Sequence, residues 1–156
     1  MEVKLNKATP EQLKTTPASM SGVVFGTQFS DHMFCMEWED GKGWHNAEIK
    51  PYGPLLMEPS AMVLHYAQMA FEGLKVYRTD SGENVLFRPR ENFKRMNRTA
   101  QRMCLPEIDV EEVLDALKQL LRLDSAWVPH ESGTTLYIRP TIVATEEAIG
   151  LKVSSK

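Results

Sequence analysis

The chain has 156 residues and a mass of 17.7 kDa, enough for about one domain with a core of its own. Eighteen Lys and Arg against 21 Asp and Glu give a net charge of −3 and an isoelectric point near 5.8, which argues against a dedicated nucleic-acid or polybasic membrane protein. A composition of 42% hydrophobic and 25% charged residues is that of an ordinary globular chain, and no apolar run approaches the roughly 18 residues that span a bilayer.

The first 20 residues mix Lys, Glu, Thr and Pro without sustained periodicity, which predicts a flexible arm and no secretory signal. Strand pattern starts at Met33 to Trp38 (MFCMEW). A second strand run, from about His45 to Lys50, follows the turn signal Asp40-Gly41-Lys42-Gly43. After Pro51, Gly53 and Pro54, a helical turn or two is expected over Tyr66 to Phe71. Leu74 to Tyr77 reads as a strand, Asp80-Ser81-Gly82 as a turn and NVLFR as the hairpin partner.

Pro89 suits a helix start, and Phe93, Met96, Ala100 and Met103 mark one helical face before Pro106. Asp109 with Glu112 makes a capping-box-like start. The most periodic apolar face follows it: Val110, Val113, Leu114, Leu117, Leu120 and Leu121. Thr134 to Ala144 reads as a buried strand interrupted by Pro140, which removes a ladder donor. The order predicts an α+β fold of two layers, a mostly antiparallel sheet with helices packed on one face. Cys35 and Cys104 lack CxxC spacing and are expected to be free thiols in a reducing, cytoplasmic compartment.

Chemistry is less legible from spacing. His32, His45, His65 and His130 are scattered without HExxH or paired Cys/His spacing, so no metal site is expected. Glycine-rich phosphate loops and a nucleophile elbow are absent. Arg95, Arg98 and Arg102 share one helix face, with Arg88, Arg90 and Lys94 nearby. Such a face either binds phosphate, whose oxygens match guanidinium donors, or is simply solvated; spacing alone favours the solvated face. Arg139 stands in an apolar strand. It either finds a buried partner, for which a Tyr hydroxyl is suitable, or alternates to the solvent side. Tyr66, Phe71 and Tyr137 are correspondingly pocket walls or core aromatics.

Four blocks in order, FGTQFSDHMF, LHYAQMAFEGLKVYR, LFRPRENFKRMNRTAQRMCLP and WVPHESGTTLYIRP, resemble branched-chain amino-acid aminotransferases, pyridoxal-phosphate enzymes of fold type IV. The resemblance runs from about Val24 to Leu151. It implies that Arg95 binds the phosphate of pyridoxal 5'-phosphate, while Arg98 and Arg102 stay on a solvated face. It further implies that the Tyr66 hydroxyl helps hold the substrate α-carboxylate, and that Arg139 hydrogen-bonds that tyrosine and lines the same site. Phe25, Phe71 and Tyr137 match walls of the pocket for a branched side chain. Ile149 and Leu151 match an interdomain loop that reaches the neighbouring subunit of a homodimer.

On the same resemblance, residues 1–20 are an arm, 21–145 a small α+β domain, and 146–156 the start of the interdomain loop. The Schiff-base lysine, the glutamate on the pyridine nitrogen and the other phosphate contacts belong to a C-terminal domain. None of Lys75, Lys94, Lys118 and Lys152 matches that lysine, so the isolated chain is expected to be inactive. The parent reaction would exchange an amino group between leucine, isoleucine or valine and 2-oxoglutarate by a ping-pong mechanism. Branched-chain amino acids and 2-oxo acids are the expected partners, not nucleic acid or membrane. The rival readings are another fold-type IV enzyme (a D-amino-acid transaminase or related lyase) and a non-catalytic association module.

Overall fold

A computed structural model describes residues 1–156. In chain order the elements are β1 (Lys4–Leu5), β2 (His32–Glu39), β3 (Gly43–Pro51), α1 (Met62–Tyr66), β4 (Met69–Phe71) and β5 (Leu74–Arg78), followed by β6 (Asn84–Leu86), α2 (Pro89–Arg102), α3 (Val110–Leu123), a 3-10 turn (Ser125–Trp127), β7 (Leu136–Ile138) and β8 (Thr141–Val143). The strands form three small sheets, β1-β3-β2, β4-β8 and β6-β5-β7, and only the β1–β3 pairing is parallel. The fold is α+β and mostly antiparallel, as expected.

The β2–β3 ribbon turns through Gly41 and Gly43, whose φ values of 77° and 75° suit glycine because it has no Cβ to clash. The N-terminal segment, expected as a flexible arm, is tied to this ribbon. Lys4 and Leu5 pair with Glu48 and Ile49, the Lys14 amide donates to Asp31 Oδ1 at 2.8 Å, and the Ala8 amide donates to His32 Nε2 at 2.9 Å. A two-residue strand and single bonds of this kind leave no periodicity for sequence reasoning to detect.

The region around Tyr66 differs from its sequence reading. Helix α1 ends at Tyr66 rather than starting there, because Ala67 takes a left-handed conformation (φ 52°) and its amide closes onto the Val63 carbonyl. Met69 to Phe71 is a strand whose partner, β8, lies far along the chain. Tertiary pairing overrides the weak local preference of a short aromatic-rich stretch.

Helix α3 begins at its expected Asp109 cap, whose Oδ1 accepts the Glu111 and Glu112 amides at 2.9 Å each, but the Glu112 carboxylate pairs with the Met1 amine instead of closing a capping box. Phe93, Met96 and Ala100 of α2 meet Leu114, Leu117 and Leu121 of α3 in the main core, with Leu74, Val76, Ala70 and Ile142 from the sheets. Met103, the fourth residue of the predicted α2 stripe, is exposed just beyond the helix end. Arg78 fastens β5 to the turn after α3, donating to the carbonyls of Ser125 at 2.6 Å and Val128 at 2.9 Å.

Candidate functional site

The candidate site lies where two chain segments run side by side and bend together. The ladder pairs Leu74 with Ile138 and Lys75 with Tyr137, and beyond the bend it pairs Phe71 with Thr141. Between them the Glu72 amide donates to the Pro140 carbonyl at 3.0 Å, and Pro140 has no amide to return. Gly73 sits at this junction beneath Tyr137. A Cβ on Gly73 would lie 2.0 Å from Tyr137 Oη, so only glycine lets the phenol approach.

Tyr137 and Arg139 are two residues apart across the end of β7 and share a face by strand alternation. Arg139 Nη2 donates to Tyr137 Oη at 3.1 Å, and its guanidinium lies 4.6 Å from the Phe71 ring centroid. Phe25 meets Tyr137 edge-on, with centroids 5.1 Å apart. Phe25, Tyr137 and Arg139 border a cavity of about 670 Å³ whose other walls include Phe34, Leu117 and Leu121. Its lining is mostly apolar, with Arg139 as the cationic group at the wall.

The residue before Gly73 forms an ion pair. The Glu72 side chain is 5% exposed and accepts from Arg95 Nε and, at 2.7 Å, from Arg95 Nη2. It also accepts from the Gly73 amide at 2.9 Å and from Asn92 Nδ2 at 3.2 Å. The guanidinium, against some opposing desolvation, holds the Glu72 carboxyl below its usual range and raises Arg95 in turn. Arg95 itself is more than half exposed.

No family model matches the chain. Over 141 residues, 90% of this chain and 39% of the other, it is 52% identical to branched-chain-amino-acid transaminase 1 of Bacillus subtilis (strain 168). Over 150 residues, 96% of this chain and 40% of the other, it is 45% identical to the cytosolic branched-chain-amino-acid aminotransferase of Saccharomyces cerevisiae.

The chain is a homologue of branched-chain aminotransferases. It spans about two fifths of the length of the curated relatives it matches. In fold it is similar to the branched-chain amino acid aminotransferase of Thermoproteus uzoniensis with norvaline, with a TM-score of 0.56, 23% identity, and coverage of 78% of this chain and 37% of that one. A branched-chain amino acid aminotransferase complexed with N-(5'-phosphopyridoxyl)-L-glutamate gives a TM-score of 0.61 at 23% identity, covering 81% of this chain and 37% of that one. The Escherichia coli enzyme gives a TM-score of 0.56 at 25% identity, covering 71% of this chain and 35% of that one.

In this aminotransferase homologue the structure gathers Phe25, Phe71, Tyr137 and Arg139 into one cluster and places Arg95 beside it through Glu72 and Gly73. Tyr66 stands apart. It is partly exposed at the end of α1 against His65, and Arg139 hydrogen-bonds Tyr137 instead of Tyr66 because Tyr137 is its neighbour on the same strand face. Ile149 and Leu151 are exposed in the C-terminal segment. Arg98 and Arg102 are exposed, on the solvated face that spacing suggested. Sequence reasoning missed Glu72, Gly73 and Asn92. The available signal was Glu72 itself, an acid in the apolar stretch MAFEGL that needs a partner if buried.

Two consequences are measurable. Gly73→Ala should cost about 1–3 kcal/mol in urea unfolding, since the methyl must displace the Tyr137 ring. In a Tyr137→Ala background, with no phenol above Gly73, the same substitution should cost much less; an equal cost would place the strain elsewhere.

The second concerns pH. A carboxyl whose folded value is depressed contributes stability above its unfolded pKa and loses it as pH falls through the folded value. The stability difference between wild type and Glu72→Gln should therefore be full above about pH 4.5 and shrink at lower pH, as followed by urea unfolding across that range.

Proposed function

We propose that these residues form the smaller part of a pyridoxal-phosphate-dependent branched-chain aminotransferase, supplying pocket walls and one phosphate contact. The observation that carries the reading is the junction at Glu72 and Gly73, where Tyr137 of the Arg139-bordered cavity packs on Gly73 and Glu72 holds the Arg95 fork. Within that division residues 21–145 are the domain, 1–20 an arm across it, and 146–156 a connection.

Arg95 fits a phosphate. Glu72 takes its Nε hydrogen and one Nη2 hydrogen, leaving the end-on pair of Nη1 and Nη2 donors for two phosphate oxygens. Phe25, Phe71 and Tyr137 would enclose the branched side chain of leucine, isoleucine or valine and exclude water from it. Arg139, with its charge already oriented by Tyr137 and Phe71, would meet the substrate α-carboxylate. When bound, pyridoxal phosphate supplies the electron sink for moving an amino group between an amino acid and a 2-oxo acid such as 2-oxoglutarate.

The catalytic lysine is proposed to come from outside these residues, and the assembly to be a cytoplasmic homodimer. The exposure of Ile149 and Leu151 is consistent with their reaching a neighbouring subunit.

The test is leucine/2-oxoglutarate transamination with added pyridoxal phosphate, on this chain alone and mixed with a separately expressed C-terminal half of a complete homologue. Turnover only in the mixture is the expected result. Turnover by the chain alone would overturn the division of labour. No turnover in either sample, with stable association of the halves, would favour a non-catalytic association module. Turnover with D-amino acids in place of leucine would favour another fold-type IV enzyme.

A further inference from the structure

We propose that Glu72 is a positioning residue that sets the orientation of the Arg95 guanidinium toward the phosphate of the cofactor, an inference that rests on the reading of Arg95 above. Arg95 has no other means of being held. Its side chain is 58% exposed, and an arginine on an open helix face samples many rotamers.

Glu72 is the opposite case. Its side chain is 5% exposed, its own amide is bonded to the Pro140 carbonyl, and its carboxylate is fixed by the Gly73 amide and Asn92 Nδ2. Asn92 is fixed as well, because Nδ2 also donates to the Gly73 carbonyl at 3.1 Å. Asn92 and Arg95 lie three residues apart on α2, so both reach the same carboxylate from one helix face.

The mode of contact decides the argument. Glu72 engages the side edge of the guanidinium, Nε with Nη2, and leaves the end edge free. A carboxylate on the end edge would instead compete with phosphate for the same donors. The side-on clamp thus points a preformed two-donor fork outward. It also carries a cost, since a carboxylate near a phosphate repels it. Net positioning and net repulsion give opposite signs on removing the charge, so the two are separable.

The experiment uses the full-length enzyme containing this chain, freed of cofactor. Equilibrium dissociation constants are measured by absorbance titration for pyridoxal phosphate and for pyridoxal, which lacks the phosphate. The pyridoxal constant divided by the pyridoxal-phosphate constant isolates the phosphate contact and needs no turnover.

Arg95→Ala should collapse the ratio by roughly 10–100-fold. Glu72→Gln should lower it by about tenfold while leaving pyridoxal binding unchanged, a loss on the scale seen for outer partners of a ligating group. In the Arg95→Ala background, Glu72→Gln should cause no further loss. If Glu72→Gln weakens both ligands equally, its role is structural and the proposal fails. If it raises the ratio, repulsion dominates and the proposal fails. If Arg95→Ala leaves the ratio unchanged, the reading of Arg95 as the phosphate contact falls first.

Discussion

Replacing Phe93 with Ala should lower the unfolding free energy of this chain by about 3–5 kcal/mol, the range for deleting a buried aromatic ring. Phe93 is 1% exposed and is the largest fully buried side chain in the structure. It projects from α2 into the cluster that joins α2, α3 and the sheets, and it borders the cavity beneath Tyr137 as well as a second cleft along β2. Removing the ring deletes its transfer free energy and enlarges the void between these spaces, because helix-held neighbours relax only in part. Phe87, the same residue type but exposed, is the internal control: Phe87→Ala should stay within about 0.5 kcal/mol. Urea unfolding decides it, with midpoints compared at equal m-value. A loss below about 1 kcal/mol for Phe93→Ala would mean that the site collapses around the deletion.

The second large effect is expected at His32. This imidazole is buried with Asp124, its Nδ1 lying 2.6 Å from Asp124 Oδ1, while the His32 amide donates to Asp124 Oδ2 at 2.9 Å. The Ala8 amide donates to Nε2, which leaves Nδ1 to face Asp124 as the donor. One side chain thus joins a buried carboxylate at the end of α3 to the N-terminal segment. His32→Ala would strip a donor from that carboxylate and an acceptor from the Ala8 amide, at a combined cost of about 3–5 kcal/mol. Asn in place of His keeps a donor toward Asp124 and gives up the Ala8 contact, so it should recover roughly half of the loss. Amide exchange at Ala8 supplies the second readout: faster exchange is expected in both variants. Unchanged protection at Ala8 would show that the segment is held by β1 and Lys14 alone.

The legible and illegible parts of this chain divide by the range of the forces involved. Helix α3 was readable because its start and its apolar face are local signals: Asp109 caps the amides two and three residues on, and the apolar residues recur at the helical period. The β5–β6 hairpin was readable for the same reason, since its turn and both strands lie within one short stretch. Around Tyr66 the local signal misled, because a left-handed Ala67 and a distant strand partner settle the conformation. The candidate site shows the same division. The residue types of the four blocks pointed to Phe25, Phe71, Arg95, Tyr137 and Arg139 by resemblance, yet spacing assigned Arg95 to a solvated face.

The α+β class, the two amphipathic helices and the kinship with branched-chain aminotransferases are written along the chain, because periodicity, caps and ordered residue blocks are properties of neighbouring positions. It takes the folded chain to show that Glu72 clamps Arg95, that Gly73 leaves room for the Tyr137 hydroxyl, that Arg139 takes Tyr137 rather than Tyr66 as its partner, and that His32 holds the N-terminal segment. Each of these is a contact between groups that the folded chain brings together or aims at one another. A buried charge or a close approach finds its partner through packing, which no local pattern encodes.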